Sequence, residues 1–174
     1  MIKFYKTLEN RMTELPEYSE GCWVSAVCPT PDEIRYLIEQ LGVDAQYISA
    51  ALDEEESSRI ELQDGYTLIL VDIPTVEIRH EKQSYTTIPL GIILTQDVIV
   101  TVCTEDTPVL KNFVINRVKE FSTKKRLRFV YQILYRAATM YQQELRLIDR
   151  RRQEIEKNLT GTLRDSDLME LHGL

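Results

Sequence analysis

Four consecutive carboxylates, Asp53, Glu54, Glu55 and Glu56, are the candidate metal ligands of this chain, because carboxylate oxygens and water are what a hard divalent cation takes. Acids in a row on a turn are more often a solvated surface, so both readings stand side by side. Three arginines, Arg150 to Arg152, form the opposite kind of run, with Asp149, Glu154 and Glu156 close by. The formal net charge is −7 and the sequence pI about 5.0, which argues against general attraction to nucleic acid or anionic lipid. The arginine run therefore reads as the charged face of a helix, with ion pairs to acids one turn away.

Other chemistry is thin. Cys22, Cys28 and Cys103 form no C-x-x-C pair, and their apolar, strand-like surroundings predict buried, reduced thiols. His80 and His172 have no spaced Cys or Glu partner, so neither zinc nor a Cys–His nucleophile is expected. The six glycines are scattered and build no phosphate loop. Asp72 stands inside an apolar run, where it is either a buried acid or a residue facing a polar partner at a sheet edge. No Ser, His or Cys arrangement completes it, and the chain is expected to be no enzyme, with no catalytic residue and no required cofactor.

The elements that must carry these residues can be read from period and punctuation. The chain has 174 residues, 43% of them hydrophobic and 28% charged, as a folded domain requires. "MIKFYKTLENRM" lacks an apolar core of signal-peptide length, and no run approaches a membrane span, so the chain as given is expected to be soluble. "CWVSAVC" reads as a strand with Trp23 in the core. "TPDE" opens a helix with Thr30 as cap, Pro31 first and Glu33 closing a capping box, and Gly42 suits its end. Asp44 caps a second short helix carrying Tyr47, Ile48, Ala51 and Leu52. Asp64-Gly65 predicts a hairpin of strands 57–63 and 66–74, the first with one wet face, the second covered on both. "HEKQS" is a polar turn, and 88–94 and 98–103 are two further strands. Thr107-Pro108 opens a helix over 107–121 with Val109, Phe113, Val114, Val118 and Phe121 inward.

From Lys124 the composition changes, and no Gly or Pro interrupts the chain until Gly161. A single helix over 124–160 is predicted, with an apolar seam at Leu127, Tyr131, Leu134, Ala138, Tyr141, Leu145, Ile148, Ile155 and Leu159, broken at Arg152. Phe129, Val130, Ile133 and Tyr135 add a second apolar face at its start. The seam demands another helix, which Leu168, Met169 and Leu171 could begin to supply.

In order and spacing, these stretches resemble the cytoplasmic amino-terminal part of the CorA-type magnesium (divalent cation) transporter family. The residues that carry the resemblance are "WVSAV", "TPDEIRYLIEQLGVDAQYISAALDEEESSRIELQDGYTLILVDIP", "IPLGIILTQDVIVTVCTED" and "KKRLRFVYQILYRAATMYQQELRLIDRRRQEIEKNL". The resemblance implies an α+β fold: an αβα sandwich with a mixed sheet over 1–123, then long antiparallel helices begun over 124–174. It implies a stalk helix and two membrane spans beyond residue 174, and so a piece of a longer protein at the cytoplasmic face of the cell membrane. It implies a homopentamer when full length, Mg2+, Co2+, Ni2+ or Zn2+ as transported ion, and regulation by intracellular cation. Nucleic acid is not expected as a partner. At the positions where the family carries cation-sensing acids, this chain has Ser49 and Ala50, and Tyr135 and Arg136, so that site does not carry over residue by residue. The alternative is a soluble α/β adaptor that binds a partner through its exposed coiled-coil-like helix.

Overall fold

The computed structural model describes residues 1–79 and 82–159, and the side chains among them outside 77–79, 82–83 and 158–159. His80, His172, Gly161 and the return segment with Leu168, Met169 and Leu171 lie outside the described residues, as does part of the "HEKQS" turn. Seven strands form one mixed sheet: β1 (Ile2–Leu8), β2 (Arg11–Leu15), β3 (Trp23–Val27), β4 (Arg59–Gln63), β5 (Tyr66–Arg79), β6 (Lys82–Leu94) and β7 (Ile99–Cys103). Their spatial order is β2-β1-β3-β7-β6-β5-β4, with β3 and β7 parallel and the remaining neighbours antiparallel. Helices α1 (Pro31–Glu39) and α2 (Ala45–Leu52) cover one face, and α3 (Pro108–Val114) and α4 (Arg126–Leu159) the other.

Strand alternation feeds both layers. Leu68, Leu70, Ile93, Val100 and Val102 point to the α1/α2 side, while Ile73, Leu90, Ile92 and Ile99 point to the α3/α4 side. Trp23 is fully buried, and its indole N–H donates to Thr101 Oγ1 at 2.9 Å, which satisfies the one polar atom of the ring. Phe113, Phe121 and Phe129 meet one another edge-on at 4.6–5.0 Å, and Trp23 meets Phe113 and Phe129 the same way. The first turns of α4 thus share the core of the sheet: Phe129, Val130, Ile133 and Ala137 are all buried in it.

Both short helices start as their sequences dictate. Thr30 Oγ1 accepts from Glu33 N, and the Glu33 carboxylate accepts from Thr30 N, a closed capping box. Asp44 accepts from Gln46 N.

One element goes unpredicted by the sequence, and two expectations are corrected. The amino-terminal segment is a β-hairpin, β1–β2, turned at Glu9 and Asn10, both with positive φ. β5 and β6 extend as a two-stranded arm as far as Arg79 and Lys82, because β-branched and aromatic cross-strand pairs such as Thr75–Thr86 and Val76–Tyr85 continue the ladder. Pro74 and Pro89 are tolerated there because each lies beyond the last residue that its strand pairs with its other neighbour, Leu70 against β4 and Leu90 against β7. The predicted helix 107–121 stops at Val114. Asn116 adopts a left-handed φ of 57°, and Arg117 N bonds back to Asn112 O at 2.9 Å, closing the helix end.

Candidate functional site

The acidic run follows α2 directly. Asp53 closes the helix, with its N–H on Ala50 O, and its Oδ1 accepts from Glu55 N at 3.0 Å. Asp53 and Glu54 border a shallow cleft of about 480 Å³ between α1 and α2, beside Ile34, Ser49 and Leu52. Glu56 turns the other way and pairs with Arg59, which also holds Glu61. The fold therefore brings Asp53 and Glu54 to one cleft, leaves Glu55 exposed beside them, and engages Glu56 elsewhere. Among the described residues, no three His, Cys, Asp or Glu side chains are placed to hold a metal ion.

Where the family resemblance expects sensing acids, Ala50 is buried against the sheet and Ser49 is exposed. On α4, Tyr135 is exposed, and the Arg136 guanidinium donates to Arg117 O at 3.4 Å.

The long helix is the second candidate surface. Arg126 ties its start to Thr95 O at 2.5 Å, and Tyr141 Oη donates to Asp72 O at 3.1 Å. Between these ties the buried stripe is Phe129, Val130, Ile133 and Ala137, the face expected to be secondary. The predicted seam is mostly uncovered: Leu127, Tyr131 and Leu145 are 68%, 72% and 61% exposed, and Leu134, Tyr141 and Ile148 are half-buried. Ile155 is buried. Leu147 and Tyr135 add to the exposed apolar surface. A further correction concerns β4. Its alternation suggested one inward face, yet Ile60 and Leu62 are 65% and 77% exposed, because β4 is the outermost strand and the helices on that face do not reach it. Exposed apolar area on this scale marks a contact surface.

The remaining candidates resolve simply. Ser58 Oγ donates to Asp72 Oδ2 at 2.9 Å and accepts from Asp72 N at 3.1 Å, so Asp72 faces a polar partner near the sheet edge. Cys22 and Cys103 are buried, and burial pushes the Cys103 thiol up to about 12. Cys28 departs from expectation: it is exposed, at a positive φ just past β3. In the arginine run, Arg152 pairs with Asp149 and Glu156 across its own helix turns, as the spacing predicts. None of the described helices is long and apolar enough to cross a membrane.

The family model described as "CorA-like Mg2+ transporter protein" matches residues 18–174. A curated relative, the cobalt/magnesium transport protein CorA of Methanocaldococcus jannaschii, is 24% identical over 157 residues, 85% of this chain and 46% of that protein. The complete structure of the CorA magnesium transporter from the same organism superposes with a TM-score of 0.80 at 17% identity, over 99% of this chain and 55% of that one. Its soluble domain gives 0.79 at 20% identity, over 99% and 70% of the two chains. The ZntB cytoplasmic domain of Vibrio parahaemolyticus gives 0.67 at 13%, over 95% and 66%. The chain spans about half the length of the curated relative it matches.

Proposed function

This chain belongs to the CorA-like Mg2+ transporter family, and on that footing we propose that it is the cytosolic regulatory domain of a divalent-cation transporter, with α4 carrying the intracellular cation level to the pore. The family is one of transporters, not enzymes. The transported ion is Mg2+, Co2+, Ni2+ or Zn2+, a cargo rather than a resident cofactor. The partners are further copies of the same subunit, as a homopentamer, and the membrane part of the protein at the cytoplasmic face.

One observation carries this reading. α4 is 34 residues, about 51 Å at 1.5 Å per residue, and only its first half packs on the sheet through a continuous buried stripe. Its exposed Leu127, Tyr131 and Leu145 form a surface that a second helix would cover, and a rigid helix anchored at one end in a folded core is a suitable lever. Asp53 and Glu54, at the cleft beside α2, are the nearest acids through which cation could act on the domain.

The test is ion flux. The complete gene product carrying this chain is reconstituted into liposomes holding a cation-sensitive dye. Divalent-cation entry that falls as Mg2+ on the domain's side rises into the millimolar range is the expected result. No flux of any of the four cations would overturn transport, and flux indifferent to domain-side Mg2+ would overturn the regulatory role.

A further inference from the structure

A second cleft lies away from the acidic run, between the β1–β2 turn and the loop 115–125 that leads into α4. Its volume is about 880 Å³. Two hydrogen-bonded clamps hold its walls together. At one end, the Asn116 side chain accepts from Met12 N at 2.7 Å and donates to Met12 O at 3.3 Å. At the other, Thr7 and Thr123 exchange N–H to hydroxyl bonds at 3.2 and 3.0 Å. Gln132, from α4, donates to Lys119 O at 3.1 Å and fixes the middle of the loop. Phe113, Phe121 and Met12 line the interior. The cleft is therefore a built concavity and not a gap under a free loop.

Its rim is basic. Arg11 comes from one wall, and Lys119, Lys125 and Arg128 from the other, in a chain whose net charge is −7. The one carboxylate of the lining, Glu120, pairs with Arg128. Four cations around one concavity, against a single paired carboxylate, favour a positive local potential in an otherwise acidic chain. Guanidinium forks at Arg11 and Arg128 match oxyanions with two or more oxygens. The first turn of α4 opens onto the same rim and carries no acid.

We propose that this cleft binds a small phosphate-bearing anion. Glu120 then serves as its internal stand-in, a single carboxylate on Arg128 that a doubly or triply charged phosphate displaces. Singly charged anions do not displace it, because they offer Arg128 no more than Glu120 already does. The site is separate from the Asp53–Glu54 cleft and does not depend on the role proposed for α4.

Isothermal titration of the 174-residue chain with sodium diphosphate, in EDTA at about 150 mM ionic strength, tests this. Saturable one-to-one binding is expected. The double variant Arg11→Glu/Lys125→Glu should weaken it about tenfold or more, Glu120→Gln should strengthen it, and Arg150→Glu, outside the cleft, should leave it unchanged. Adenosine diphosphate in a parallel titration separates the sources: tighter binding than diphosphate assigns a nucleotide, equal binding assigns free phosphate chemistry, and both support the site. Absence of saturable heat overturns the proposal. So does affinity unchanged by the Arg11/Lys125 reversal in a protein with parental circular dichroism. If that double variant does not fold, a Glu120→Gln chain that binds no tighter than the parent overturns it.

Discussion

Glu33 joins three parts of the chain. Its carboxylate accepts from Thr30 N and from Ile2 N, each at 2.8 Å, and lies 3.0 Å from the amino-terminal ammonium. Partial burial acts to raise its pKa, but the two N–H groups and the ammonium outweigh it and hold the carboxyl at about 2. The unfolded value of 4.5 is higher, so this group's contribution to stability is complete above 4.5 and is lost as pH falls from there towards about 2. Glu33→Gln should therefore lower stability at neutral pH by about 1 kcal/mol and flatten the acid limb of a denaturation series between those two values. A variant whose acid limb matches the parent would contradict the assignment. The capping box itself was legible in "TPDE", since it is local. The bonds to Ile2 and to the amino terminus were not, because they exist only once β1 lies beside β3 and α1 crosses its end.

Among the elements, α2 is seated most closely. A Cβ added at Gly91 in β6 would stand 2.4 Å from Ala51 Cβ, so the absence of a side chain on the strand sets how near the helix can lie. Gly91→Ala should destabilise the chain by about 1–3 kcal/mol in chemical denaturation, because neither the strand nor the helix backbone can yield cheaply. Stability unchanged within error would contradict so close a seat for α2 on β6. Elements with strong local punctuation were readable: α1, α2, the Asp64-Gly65 hairpin, and the two-faced run of β5. Three features were not. The β1–β2 hairpin lacks a Gly at its turn, where Glu9 and Asn10 take positive φ instead, and alternation in "IKFYKTL" is blurred because the consecutive aromatics Phe4 and Tyr5 serve opposite faces of the sheet. α3 carries a helical stripe well past Val114, yet Asn116 leaves the helix because its side chain meets the free backbone of Met12 on the edge strand β2. That contact is 104 residues apart in sequence, and no periodicity signals it. Arg11, Lys119, Lys125 and Arg128 were overlooked for the same reason: they are scattered in sequence and gathered by the fold.

At the scale of the whole molecule, one helix decides the account. Heptad spacing from Leu127 onward correctly marked a long helix with apolar residues on more than one side. It did not reveal which side the sheet would take. The sheet took Phe129, Val130, Ile133 and Ala137, whose bulk fits beside Trp23 and Phe113, and left Leu127, Tyr131 and Leu145 outward. An outward apolar row on a charged helix leaves costly area exposed, and it is expected where a further helix covers it. The most direct measurement is the labelling rate of a single cysteine at Leu145→Cys, with the exposed native thiol removed by Cys28→Ser. It should be compared between the 174-residue chain alone and the complete gene product in membranes. The account predicts rapid labelling in the chain alone and labelling slower by about tenfold or more in the complete protein, as a covered helix face requires. Equal rates in the two would contradict it, because α4 would then present its outward face to water in the complete protein as well.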